Sequence, residues 1–254
     1  GAGFALGHKM TILVAMHVGL HTILISDRLS FKRDGQVGRI YYKKLNQSEN
    51  HTSIGAGCSY VAFEASQFLN GKTITGEPEL RGMSQHLMDT AFKYVGKNLY
   101  GDISVLFVSA TIDDKAKLFR VVHDEFANGG RLKELTDHQS GEILFAIPRV
   151  LTIEQGDDFK REATGLFEEF MAEKGKSPQS SDLVNVTRLA RSVGAALNRL
   201  AHKNEFISKD YDVGILSSTG LTYTGMIDFD SPRVVTLVQK RGREVKNDVA
   251  EFGI

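Results

Sequence analysis

The sequence predicts an α+β fold: two antiparallel sheets enclosed by helices. Three observations predict it. β-rich apolar runs come in blocks, with about four strand-like segments inside residues 11–56, rather than alternating singly with helices. Helical periodicity appears as two separate pairs, one between 60 and 96 and one between 158 and 202. The composition is globular: 254 residues, 41% hydrophobic and 24% charged, room for one large domain with a sizeable core.

The elements follow in order. Thr11–Met16 and Thr22–Ile25 are apolar and β-rich on either side of the weak turn HVGLH. A polar stretch runs from Asp27-Arg28 to Asp34-Gly35, and Arg39–Leu45 alternates as a third strand. His51–Ala56 is a short strand leading into Gly55-Ala56-Gly57 and then a helix over Tyr60–Phe68. Pro78 suits the first turn of the next helix, whose apolar face is Met83, Leu87, Met88, Ala91, Phe92 and Val95. Strands resume at Ile103–Ala110, Leu118–His123 and Glu142–Ile147. Asp158–Lys174 places Phe159, Ala163, Leu166, Phe167 and Phe170 on one stripe, and Ser181–His202 opens on a capping serine and Asp182. Val213–Ser217, Leu221–Ile227 and Val234–Val238 close the pattern as strands. Residues 1–10, ending in Met10, read as a tag or pro-segment and 11–254 as one domain, with 152–181 a projecting helical segment and 239–254 a charged tail.

Several function classes drop out. The formal charge is zero, from 31 basic and 31 acidic residues, so no field draws the chain to nucleic acid or anionic lipid. The single cysteine, Cys58, forms no internal disulfide and builds no thiolate zinc site. It reads as a small buried hydrophobe. His17 and His21 lack a third ligand nearby. Gly55-Ala56-Gly57 has neither the third glycine nor the βαβ setting of a dinucleotide fingerprint. No apolar run is long enough to span a membrane, and the expectation is a cytoplasmic protein.

Thr11 and Asp27 carry the chemistry. A threonine at a mature N-terminus holds a nucleophilic hydroxyl and a base, its own α-amine, in one residue. Such a site needs a cation to lower the hydroxyl pKa, a carboxylate to place the cation, and an N–H donor for the tetrahedral oxyanion. Thr11, Asp27, Lys43 and Gly57 supply these in order. The bland alternative is that Thr11 starts a strand and Asp27-Arg28 is a turn. The chemistry calls for no metal or cofactor.

The run Thr-Ile-Leu-Val-Ala, an apolar second strand ending in Asp-Arg, a basic strand, and Gly-Ala-Gly before a helix resembles the proteasome β-type N-terminal-nucleophile (Ntn) hydrolases, including the bacterial threonine proteases. Asp27 lies 16 residues after Thr11, Lys43 32 after it, and Gly57 14 after Lys43, where that family carries its aspartate, lysine and oxyanion glycine. Arg39 is the alternative to the lysine. On one continuous strand Arg39, Tyr41 and Lys43 share a face and Lys44 takes the other. The family's Ser-Gly-Ser matches Ser140-Gly141-Glu142, and Asn204, Glu205 and Asp210 compete for its later aspartate, so Ser140, Glu142, Asn204 and Asp210 are auxiliary candidates.

The resemblance implies a four-layer αββα sandwich. It also implies a threonine endopeptidase acting on peptides or unfolded proteins, inside stacked homo-oligomeric rings served by an ATPase unfoldase. An inactive assembly subunit and an Ntn amidase or transacylase stay open beside it. While residues precede Thr11, its nitrogen is an amide and cannot act as the base.

Overall fold

The computed structural model describes residues 11–31, 39–41, 44–58, 62, 66–67, 69–82, 85–86, 89, 103–124, 132–148, 151–174, 183–227, 234–236 and 248–250. Its strands are β1 (Leu13–Val18), β2 (His21–Asp27), β3 (Leu29–Phe31), β4 (Arg39–Tyr41), β5 (Asn46–Gln47), β6 (Ser53–Gly57), β7 (Ile103–Ile112), β8 (Lys115–Asp124), β9 (Leu132–His138), β10 (Ile143–Ala146), β11 (Tyr211–Ser217), β12 (Gly220–Ile227), β13 (Val234–Thr236) and β14 (Asp248–Ala250). Two long helices, α1 (Ile153–Lys174) and α2 (Leu183–Lys203), lie between β10 and β11.

The chain is α+β, with two antiparallel five-stranded sheets, ordered β10-β1-β2-β11-β12 and β5-β6-β7-β8-β9. Strand alternation explains why β1 is apolar throughout. Ile12, Val14 and Met16 turn toward the helices and pack with Phe159, Ala163, Phe167, Val186, Val193 and Leu197. Leu13 and Ala15 turn the other way and pack with Ile54, Ala56, Phe107 and Leu118 of the second sheet. The first sheet is therefore covered on both faces, which removes the polar-outside alternation expected of a half-exposed strand. Three layers result: helices, first sheet, second sheet. Beyond these, residues 62, 66–67, 77–82, 85–86 and 89 are helical, and a Cβ at Gly55 would strike Leu69.

Helix α2 sits tightly on β11. Gly194 faces Tyr211, and a Cβ there would collide with the edge of the tyrosine ring and its hydroxyl. Among the described residues no helix is long and apolar enough to cross a membrane.

Three expectations change. Residues 153–174 do not stand away from the body, because Phe159, Ala163 and Phe167 of α1 are core residues. The stretch Asp27–Gly35 includes strand β3, paired with β4. Part of the charged tail, Asp248–Ala250, is a strand paired with β13. Residues 1–10 and 251–254 lie outside the described residues.

Candidate active site

Thr11 enters β1 at the end of the sheet where β2 finishes, and it is buried. Asp27, the last residue of β2, binds the main chain just beyond it. The Ile12 N–H donates to Asp27 Oδ1 at 3.1 Å, and the Asp27 N–H donates to the Ile12 carbonyl at 3.3 Å. The Leu29 N–H donates to Asp27 Oδ2 at 3.2 Å. One carboxylate thus joins the start of β1 to the turn after β2.

The cation on Asp27 is Lys44. Its Nζ lies 2.9 Å from Asp27 Oδ1 and donates to the Leu29 carbonyl at 2.6 Å. Both side chains are sealed from solvent, at 1% and 0% exposed. The choice of Lys43 assumed one strand through Leu45, but Lys44 and Leu45 lie outside any strand, so alternation does not set Lys44 aside. Lys43 lies outside the described residues, as does the side chain of Arg39, whose backbone is in β4. Burial pushes the Asp27 carboxyl above its ordinary 3.8 and the Lys44 ammonium below its ordinary 10.5, each opposed by the other's charge.

Gly57 ends β6, buried, within a strand rather than in a strand-to-helix turn. Its surroundings follow from register. Asn46 pairs with Gly55 and Gln47 with Ile54 across β5 and β6, so β6 is flanked by β5 on one side and by β7 on the other. The Cys58 N–H donates to the Val105 carbonyl on β7 at 3.0 Å. Antiparallel strands alternate the side to which their N–H groups point, so the Gly57 N–H points the other way, away from β7.

Two residues that sequence reasoning missed complete the cluster. Asp212 on β11 accepts the Lys44 backbone N–H at Oδ2 (2.9 Å) and lies 3.5 Å from Arg28 Nε through Oδ1. Ser208 accepts the Arg28 N–H at 2.7 Å and donates to the Asp210 carbonyl. The available signal was a charge inside Tyr211–Ser217, a strand buried at every position. Ser208, in a loop, left no comparable mark.

The auxiliary candidates go elsewhere. Ser140 Oγ accepts the Gly19 N–H at 2.7 Å, and the Glu142 carbonyl accepts the His17 N–H. Both lie at the turn joining β1 to β2, about 25 Å of strand from Thr11 at ~3.3 Å per residue. The matched triplet therefore sits at the wrong end of β10. The register Leu13↔Ala146 shows that the chain after Ala146 approaches the Thr11 end. Asn204 links the helices, donating to Gln155 Oε1 at 3.1 Å and accepting the Phe206 N–H. Asp210 meets the cluster through its carbonyl, on Ser208. His17 Nδ1 donates to the His138 carbonyl at 2.8 Å. Among the described residues no group of three or more His, Cys, Asp or Glu could hold a metal ion.

No protein-family model matches the sequence, and no curated protein matches it. The solved structures similar to it in fold include two Anbu proteins. One is the Anbu (Gly-1) mutant from Hyphomicrobium sp. strain MC1, at TM-score 0.56 and 11% identity, over 87% of this chain and 89% of that one. The other is Anbu, described as an ancestral beta-subunit, from Yersinia bercovieri, at TM-score 0.58 and 12% identity, over 87% of this chain and 88% of that one. The assignment to the proteasome β-type and bacterial threonine-protease family is corrected accordingly: the likeness runs to Anbu, and at 11–12% identity it is a likeness of fold. The chain shares its overall fold with these Anbu structures.

Proposed function

We propose that the protein is an N-terminal-threonine hydrolase that cleaves amide bonds of peptides, with Thr11 as nucleophile once its α-amine is free. The observation that carries this reading is Lys44, fully buried, ion-paired to Asp27 at 2.9 Å, on the carboxylate that holds the main chain beside Thr11. Taking a lysine and an aspartate out of water costs several kcal/mol per ion, on the order of what their attraction returns. A buried pair of this kind, with shifted proton affinities, marks a candidate reaction site.

The steps follow from the groups present. The α-amine of Thr11 takes the hydroxyl proton as Oγ attacks the scissile carbonyl carbon. The Lys44 ammonium lowers the hydroxyl pKa electrostatically, and Asp27 orients that ammonium. The Gly57 N–H stabilises the oxyanion, a donor whose loss costs roughly 3–4 kcal/mol of transition-state stabilisation. The C–N bond breaks as the protonated α-amine gives its proton to the leaving amine. Water then adds to the Thr11 ester, and its collapse frees the acid and restores the hydroxyl.

The helical residues 62, 66–67 and 77–82 support a second helix layer outside the second sheet, which would complete an αββα sandwich. We propose a homo-oligomer that encloses peptide or unfolded substrate.

The test is hydrolysis of a peptide library by protein produced with Thr11 as its first residue, beside the same protein carrying Thr11→Ala and beside the chain retaining residues 1–10. Cleavage by the first alone supports the reading. Equal cleavage by the Thr11→Ala protein overturns it.

A further inference from the structure

Lys44 is held at both ends. Asp27 takes its ammonium, and a second buried carboxylate from a different strand takes its backbone. Lys44 lies between β4 and β5, so no ladder supplies an acceptor for its N–H. Asp212 supplies one instead, as a charge-assisted bond. The supply is built into the first sheet: β11 pairs with β2 so that Tyr211 faces Asp27 and Asp212 faces Ser26. The register that places Asp27 therefore also places Asp212.

We propose that Asp212 is the positioning residue for Lys44, fixing where its ammonium sits relative to Thr11. This deepens the reading of Thr11 as nucleophile and rests on it. Among the described residues the charged groups that face Lys44 are Asp27 from β2, Asp212 from β11, and Arg28 just after β2, itself 3.5 Å from Asp212. Asp212 is 5% exposed and Lys44 1%, so the two are withdrawn from solvent together. Removing the Asp212 charge removes a field that favours the Lys44 ammonium form.

The variants separate charge from geometry. Asp212→Asn keeps an oxygen for the Lys44 N–H and loses the charge. Asp212→Ala loses both, and Asp212→Glu keeps the charge on a longer arm. Two readouts are taken: kcat and KM against pH on protein beginning at Thr11, and a 13Cε-lysine NMR titration of Lys44, assigned with Lys44→Arg, which needs no activity. In Asp212→Asn, Lys44 titrates at lower pH than in the parent, and the basic limb of kcat/KM moves the same way. In Asp212→Ala, kcat falls about tenfold to a hundredfold with KM little changed. Asp212→Glu, informative even if Asp212→Asn fails to fold, retains the parent Lys44 titration with reduced kcat. A lowered melting temperature with an unmoved Lys44 titration and an unmoved limb would make Asp212 merely structural and overturn the proposal. A shifted Lys44 titration in a protein that cleaves nothing would support the placement and sink the Thr11 reading.

Discussion

The two ends of strand β1 carry similar chemistry in opposite surroundings. At one end Asp27 and Lys44 form an ion pair at 2.9 Å, sealed at 0% and 1% exposure. At the other, His138 and Glu142 make a contact at 2.6 Å, with side chains 11% and 46% exposed. Each end also has a serine hydroxyl accepting a backbone N–H, Ser208 on Arg28 and Ser140 on Gly19. Residue types do not separate a site from a turn here; solvent does. In water-accessible surroundings an ion pair contributes about 0–1 kcal/mol. Withdrawn from water, the same pairing shifts proton affinities and makes the loss of one partner severe.

The contrast is broken hardest at Lys44. Lys44→Met leaves Asp27 buried without its counter-charge and is expected to destabilise the fold by about 3–5 kcal/mol, read as a lower denaturant midpoint. The double variant Asp27→Asn/Lys44→Met is expected to recover part of that loss, and a loss equal to the sum of the singles would deny the coupling.

Gly194→Ala comes next, at about 1–3 kcal/mol, because its Cβ collides with the buried ring of Tyr211. Tyr211 pairs with Asp27 across β11 and β2, so this variant should also reduce activity from the far side of the sheet. A full-activity Gly194→Ala protein would show that the α2 contact does not reach the site.

The pH dependence sharpens the same comparison. Asp27 has a raised carboxyl pKa, so in the window above the ordinary 3.8 the folded chain holds more protons than the unfolded one. Its contribution is complete below that value and is lost as pH rises through the folded pKa. Lys44 opposes that rise in the parent. Melting temperature should therefore fall more steeply with rising pH, above the aspartate range, in Lys44→Met than in the parent. Parallel curves would contradict the pairing.

The smallest effects belong to the other end. Glu142→Gln removes the charge beside His138 at an exposed position and should change stability by less than about 1 kcal/mol, with peptide hydrolysis unaltered. A large loss of hydrolysis would return Glu142 to the site.

Much of the fold was legible because burial on both faces writes long apolar runs. Thr11–Met16 and Thr22–Ile25 were read close to Leu13–Val18 and His21–Asp27, and Ser181–His202 close to Leu183–Lys203. Strand β9 was not, since its sequence LKELTDH is mostly polar and its pairing with β8 is a long-range fact. In the site, Asp27 was legible as a charge ending an apolar strand. Lys44 was not, because alternation along one assumed strand set it aside, whereas Lys44 and Leu45 lie outside any strand. Ser140 and Glu142 matched by order along the chain, but β10 runs antiparallel to β1, so an early residue of that segment lands far from Thr11. Asp212 depends on the β2–β11 register, which no local pattern encodes.

The central claim is that a free-amine Thr11 is activated by the Asp27–Lys44 pair. Its most direct test is intact-mass and peptide-mapping analysis after reaction with an acylating peptide electrophile. The samples are protein beginning at Thr11, the same protein with Lys44→Met, and the chain retaining residues 1–10. The account predicts a single adduct on Thr11 in the first, and little or none in the other two. An adduct on Cys58 or Ser208, or equal labelling of Thr11 with and without Lys44, would contradict it.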